Sequence, residues 1–340
     1  MLKTVSKIII VLALFIPLSS NAAEQVSPVF NDLITYFPLA DGKAMILSGE
    51  KFYQANQPTQ KDSWQETNLT YQRTDNYLTR FDLTTAVPFK GYDYVVLSTD
   101  TGADDLSWDV ASAEIWRLSR TDPTVFEQVV NIDNVTQDGA LQFVSLARYQ
   151  GALYAAMANG SIWKTNNGTN WESIDTIVKG LPEEKQISSI AATAKRLYMV
   201  VNNAVYRSAD GKSWHKMSGN YLTDSSGAVA IAAANQAIYI TSTVNNNIQS
   251  IWQKKPQAAW VKILDNQLAI NNIYGTKQAL YIAVTNADNT YSVLTDSHNE
   301  TITSIYNSNS YLSGFVKTKD ESILVIVNEN DVASYLVKFK

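Results

Sequence analysis

Apolar and polar positions along the chain fall into a short recurring pattern, clearest over Arg196–Met217, RLYMVVNNAVYRSADGKSWHKM. Leu197–Val201 is an unbroken apolar run of β-branched, aromatic and aliphatic side chains, which predicts a buried strand. Asn202 and Asn203 supply a two-residue reversal, and Ala204–Ser208 returns as a second strand centred on Val205 and Tyr206. The polar stretch Ser208–Trp214, SADGKSW, then turns the chain again. Its hydroxyl and carboxylate can cap backbone N–H groups within the turn, and Gly211 takes positive φ without steric cost. Trp214 opens a third strand with a large apolar plate.

The same unit repeats up and down the chain. A first copy covers roughly 31–73, with strands near Leu33–Leu39, Ala44–Ser48, Phe52–Ala55 and Trp64–Thr67. A second covers 77–135, with strands near Tyr94–Leu97, Glu114–Leu118 and Phe126–Val130. Four more centre on ALYAAMA, RLYMVVN, AIYITST and ALYIAVT, beginning at Ala152, Arg196, Ala237 and Ala279. The seventh has ILVIVNE from Ile323 and SYLVKFK from Ser334, and it lacks an outer strand. The segment Gln25–Phe30 belongs to no unit and is expected to fill that gap, where Pro28 is acceptable because the strand is an edge. The reading is all-β: a β-propeller of seven four-stranded blades, closed by N- and C-terminal strands sharing one blade. Six or eight blades stay open as alternatives, since the first two units are the most irregular. Residues 175–188 are the one stretch with helical character, and Gly180 and Pro182 break it.

Turns like Ser208–Trp214 recur as TNNGTNW, Thr165–Trp171, and as KKPQAAW, Lys254–Trp260, which keeps only the length and the Trp. Trp163 to Trp171, Tyr206 to Trp214 and Trp252 to Trp260 are each eight residues apart. On these residues the chain resembles the Asp-box (BNR, sialidase-like) β-propeller superfamily, whose motif is S-x-D-x-G-x-T-W. Here the turn is one residue shorter, S-x-D-G-x-x-W. The resemblance implies that Thr165, Asn167, Gly168 and Trp171, with Ser208, Asp210, Gly211 and Trp214, are fold devices between third and fourth strands, not catalytic groups. It also implies that each first strand lines a central channel. The binding face would then gather the loops between second and third strands and the connections between blades.

Composition changes the picture in one respect. Met1–Ala22 carries Lys3 and Lys7, an apolar run Ile8–Leu18 and then SSNAA, which reads as a secretory signal peptide, leaving 23–340 as a single propeller domain. The run is too short to span a bilayer. The chain holds no cysteine, which excludes a lipid-anchored cysteine and any disulfide framework. A periplasmic or secreted protein is expected. Losing Lys3 and Lys7 takes the net charge from −5 to −7, which argues against nucleic acid and an anionic membrane surface. No membrane insertion is expected, and the chain reads as a monomer.

Among the loops assigned to the binding face, Asp100–Val110, DTGADDLSWDV, stands apart. It packs Asp100, Asp104, Asp105 and Asp109 around Trp108, the one tryptophan of eight outside a predicted strand. Such a cluster suits a basic protein surface, a cation or sugar hydroxyls. Its spacing is not that of an EF-hand loop. The alternative is a solvated insertion whose Trp tucks onto its own blade. Gly219–Gly227 adds Tyr221 and Asp224, Leu181–Gln186 adds Glu183 and Glu184, and Arg80 and Arg148 fall on predicted innermost strands.

An enzyme reading needs more than the chain offers. The resemblance would imply for a sialidase three carboxylate-holding arginines, a Tyr–Glu pair and an F-R-I-P motif. The chain has no F-R-I-P and only seven arginines. His215 and His298 are the only histidines and lie in or beside outer-strand turns, so neither a His-based triad nor a metal site is expected, and no cofactor is called for. What remains is an exported, non-catalytic scaffold propeller that binds a protein or glycan of the cell envelope or beyond, and in this the chain resembles Ycf48-like and other Asp-box scaffold propellers. The alternative is an Asp-box glycoside hydrolase with paired carboxylates on separate loops.

Overall fold

A computed structural model describes residues 23–71, 78–81, 86–100, 110–133, 142–219, 227–234, 236–244, 247–265, 269–296, 302–329 and 333–339. They form seven antiparallel sheets, a seven-bladed β-propeller; in six of them the strands follow in sequence order across the blade, and in the seventh an N-terminal strand is added at the edge. Blade 1 comprises Ile34–Phe37, Ala44–Ser48, Lys51–Ala55 and Trp64–Thr70. Blade 3 comprises Phe143–Tyr149, Ala152–Met157, Ile162–Thr165 and Trp171–Ser173. Blade 4 comprises Ile187–Ala192, Leu197–Val201, Ala204–Ser208 and Trp214–Lys216. Blade 5 runs from Gly227–Ala234 through Ala237–Val244 and Asn247–Lys254 to Trp260–Asp265. Blade 6 runs from Ala269–Gly275 through Leu280–Thr285 and Tyr291–Asp296 to Ile302–Ser308. The only helical pieces among the described residues are the 3-10 turns Ala40–Gly42 and Lys61–Ser63, and none is long and apolar enough to cross a membrane.

The unbroken apolar runs follow from how blades stack. Leu197, Met199 and Val201 point into a cluster shared with blade 3, whereas Val200 points into one shared with blade 5. Side chains alternate between the faces of a strand, so a strand with a neighbouring blade on each side must be apolar at every position. Buried apolar side chains gather into seven clusters, one at each blade–blade interface. The core is therefore a ring of interfaces and not a single centre.

Closure is as the sequence suggests. Blade 7 takes Tyr311–Lys317, Ile323–Glu329 and Ala333–Lys338 from the C-terminal end and Glu24–Gln25 from the N-terminal end. The Val26 N–H donates to the Leu336 carbonyl (2.9 Å), and Phe30 and Ser334 exchange a pair of backbone bonds at 2.8 and 2.9 Å. Phe30 then packs on Tyr53 and Trp64 of blade 1 at ring separations of 5.0 and 6.1 Å. The Trp64 indole N–H donates to the Val26 carbonyl at 3.0 Å. One short segment thus completes blade 7 and ties it to blade 1.

Blade 2 is the irregular one. Its inner strand is in two pieces, Leu78–Phe81 and Val87–Phe89, both paired with Tyr92–Asp100, and Val110–Ser119 and Phe126–Asp133 complete it. Arg80 lies on the first piece, and Arg148 is exposed on the inner strand of blade 3.

Candidate binding face

Sequential order in every blade gives the propeller two different faces. The lower face carries the turns between strands one and two and between three and four. The upper face carries the turns between two and three and the connections from blade to blade.

On the lower face the Ser208–Trp214 turn is held by its own side chains. The Ser208 hydroxyl oxygen accepts from the N–H groups of Asp210 (3.3 Å) and Gly211 (2.8 Å), and Ser208 Oγ donates to Asp210 Oδ1 at 3.0 Å. Asp210 Oδ1 accepts from the amides of Lys212 and Ser213, both at 2.8 Å. Those two amides, Ser213 first, hold the Asp210 carboxyl down at about 2. Thr165 and Asn167 reproduce the pattern: Thr165 Oγ1 accepts from Gly168 at 2.8 Å and Asn167 Oδ1 from Thr169 and Asn170 at 2.9 and 2.8 Å. Gly211 has φ +73°, and a Cβ on it would stand 2.3 Å from the Tyr154 hydroxyl of the preceding blade. At Gly168 the same collision would be with Tyr94, whose hydroxyl donates to the Gly168 carbonyl at 2.9 Å. Arg117 adds to this contact, donating to the Gly168 carbonyl (3.1 Å) and to Thr169 Oγ1 (3.0 Å) from a position over the Tyr92 ring. Each turn is thus seated on the blade before it, with Ser208 Oγ, Asp210 Oδ1, Thr165 Oγ1 and Asn167 Oδ1 all occupied.

The upper face is built differently. Asn202 and Asn203 both have positive φ, 47° and 60°, as a two-residue hairpin turn requires. Asn202 receives the Gln186 N–H on Oδ1 (2.7 Å), returns its own N–H to the Gln186 carbonyl (2.9 Å) and donates Nδ2–H to the Glu184 carbonyl (2.8 Å). The Asn203 carbonyl accepts the Ala228 N–H at 2.9 Å. This one turn therefore pins the connection arriving from blade 3 and the first strand of blade 5. Beside it lies an open groove of about 930 Å³ between blades 3 and 4, whose charged and polar lining includes Asn159, Glu183, Glu184, Lys185, Gln186 and Asn203.

Among the described residues, charge on the connections of this face is mainly acidic. Asp32, Glu50, Glu183, Glu184, Asp288 and Glu329 are all exposed on its connections. Lys51 is engaged by Glu66 at 3.0 Å and Lys185 lies 3.9 Å from Asp175. Among the described residues no group of three or more His, Asp or Glu side chains converges as a metal site would require.

Of the residues singled out from sequence, Asp100 is the last residue of its strand and pairs with Val110, so the second and third strands of blade 2 end on this upper face. They are nine and ten residues long, against six and four in blade 3. Asp104, Asp105, Trp108, Asp109, Tyr221 and Asp224 lie outside the described residues. The Asn202–Gln186–Glu184 clamp is not legible from the pattern, because Asn-Asn announces a turn but not what the turn holds.

Residues 174–258 match the DUF6242 beta propeller domain, a span that takes in the connection into blade 4, the whole of blade 4 and three strands of blade 5. No curated protein matches the chain in sequence. Among solved structures, YCF48 from Cyanidioschyzon merolae is 11% identical with a TM-score of 0.59, over 94% of this chain and 98% of that one. YCF48 bound to D1 peptide is 10% identical with a TM-score of 0.60, over 94% of each chain. The extracellular domain of BT4673 from B. thetaiotaomicron is 15% identical with a TM-score of 0.62, over 93% of this chain and 40% of that one. At these identities the likeness is one of fold.

Proposed function

We propose that this chain is an exported, non-catalytic binding propeller whose upper face holds a basic segment of a protein partner. The observation that carries the proposal is the pair of carboxylates, Glu183 and Glu184, on the rim of the blade 3–blade 4 groove, set on a connection that hydrogen bonds from the Asn202 side chain hold in place. A preorganised, charged concave surface favours association with a complementary partner chiefly through encounter rate and register. The YCF48 structure with a D1 peptide shows a propeller of this fold holding a peptide, which supports the reading. The strand ending at Asp100 closes on the same face, and this reading takes Asp104, Asp105, Asp109 and Trp108, which follow it in sequence, as further partner contacts, with Trp108 as an anchor of the kind that dominates interfaces. The turn residues Thr165, Asn167, Gly168, Trp171, Ser208, Asp210, Gly211 and Trp214 serve the fold.

The test reverses charge on the groove. Protein with Glu183→Lys and Glu184→Lys is compared with wild type and with Lys212→Glu on the lower face, each used to recover cross-linked partners from envelope extract. Wild type and Lys212→Glu are expected to recover the same protein, and the groove variant to lose it at unchanged melting temperature. Recovery of that protein by the groove variant would refute the assignment.

A further inference from the structure

The lower face carries a feature that partner binding on the upper face does not use. Between blades 5 and 6 is a pit of about 190 Å³ whose floor is polar and buried. Asp296, Tyr239 and Gln253 are only 3%, 3% and 5% exposed. Asp296 Oδ2 accepts from the Tyr239 hydroxyl (3.1 Å) and from Gln253 Nε2 (3.2 Å), and Nε2 also lies 2.8 Å from the Tyr239 oxygen. Asp296 Oδ1 is equally buried and receives no hydrogen bond from the protein.

The repeat shows why this blade differs. Asp296 pairs with Leu280 and Ile302 as Ser208 pairs with Leu197 and Trp214, so it stands where blades 3 and 4 have a hydroxyl. There Thr165 and Ser208 spend their oxygens on the amides of their own turns. Tyr239 likewise holds the place of Tyr94 and Tyr154, which in their blades reach the glycine of the next turn. In blade 6 the tyrosine meets a carboxylate instead, and that carboxylate, which lines the pit, keeps one buried oxygen without a donor. A buried acceptor without a donor is costly and calls for an explanation.

We propose that this pit binds a small polyol, a single sugar ring by class, with Asp296 Oδ1 accepting one of its hydroxyls. The mouth decides between polyol and cation. Gln236, Lys255 and Gln278 line it, and they offer donors as well as acceptors. A hydroxyl can donate to Asp296 and accept from the rim at the same time. An ammonium group can only donate, and would have to enter past the Lys255 charge. The volume is below that of a site for a drug-sized ligand, which limits the occupant to about one ring.

Ala237 and Ala279 line the pit, so their methyl groups report on it. Protein carrying ¹³C-methyl alanine is titrated with methyl glycosides of glucose, galactose, mannose and N-acetylglucosamine, and separately with methylammonium chloride. At least one glycoside is expected to move both methyl signals saturably. Asp296→Asn should weaken that titration by about tenfold or more, the usual loss for a bond to a charged acceptor, while other methyl signals stay in place. Should Asp296→Asn not fold, Gln236→Trp at the exposed mouth blocks entry and should abolish saturation. Absence of saturable shifts with every glycoside would overturn the proposal. So would a response to methylammonium alone, or one unchanged in the variants.

Discussion

Replacing Trp214 with alanine is expected to destabilise the propeller by about 3–5 kcal/mol, the range for deleting a large buried aromatic side chain. Trp214 is 2% exposed and lies in the cluster shared by blades 3 and 4 with Tyr154, Ile174 and Met199. It also anchors the connection between those blades. Its N–H donates to the Lys179 carbonyl at 2.8 Å, and the Lys179 N–H donates to Lys212 at 2.7 Å, a parallel bridge at residues 179 and 213. Gly180 packs so tightly there, at φ +83°, that a Cβ would stand 2.0 Å from the Trp214 carbonyl oxygen. The comparison that isolates the plate is Trp214→Phe. The indole N–H has no acceptor, so phenylalanine keeps much of the apolar contact and removes an unsatisfied donor. Its expected cost is under about 1.5 kcal/mol, as for volume-tolerant core exchanges. Urea unfolding of both variants checks the pair. Equal losses would mean that the N–H matters and the plate does not.

The second large effect runs the other way. Asp93→Asn is expected to stabilise the protein at neutral pH. Asp93 is fully buried at the start of the second strand of blade 2, and burial pushes its carboxyl up to about 8, with Arg120 opposing the rise. Arg120 Nε lies 3.3 Å from Asp93 Oδ1, within ion-pair distance, yet Nε and Nη2 point their protons at the Pro38 carbonyl, at 2.9 and 2.7 Å. Neither carboxylate oxygen receives a hydrogen bond. A folded-state value above the unfolded one means the contribution of this group is fully present below about pH 4. It is lost as pH rises, up to about 8. Over that window the wild type should lose up to about 5 kcal/mol relative to Asp93→Asn, less whatever the buried amide itself costs. Arg120 keeps its Pro38 bonds in the variant. Melting temperatures of both proteins from pH 4 to pH 9 should converge in acid and separate towards pH 8. Parallel curves would show Asp93 ionised and stabilised by Arg120.

Much of this architecture is written in the pattern. The apolar runs such as Leu197–Val201, the Asn202-Asn203 reversal and the eight-residue spacing onto Trp171, Trp214 and Trp260 are local, and each repeats. Closure by Gln25–Phe30 is legible because the seventh unit lacks an outer strand and this segment belongs to no unit. Trp64 and Phe126, which open the strands expected near Trp64–Thr67 and Phe126–Val130, occupy the same first position of the fourth strand as Trp214, although the turns before them differ in length and composition. The split inner strand of blade 2 has no local signal, since its two pieces are joined only by pairing with Tyr92–Asp100. The stretch 175–188 shows how sequence can indicate what does not form without indicating what does. Gly180 and Pro182 rule out a helix, but the bridge to Ser213 depends on another blade. Asp93 and Asp296 carry no local signal for the same reason, because burial of a single carboxylate is decided by neighbours far away in sequence. Function was the least legible part. The upper face is acidic only once topology sorts the loops, and net charge says nothing of how charge divides between two faces.

The binding assignment is tested most directly by site-specific photo-crosslinking in the cells that make the protein. A benzophenone amino acid is placed at Asn159 or Asn203 beside the upper groove, and at Lys212 on the lower face. The account expects one protein partner to be captured from both Asn159 and Asn203 and not from Lys212. Capture from Lys212 alone, with none from the groove positions at equal expression, would contradict it.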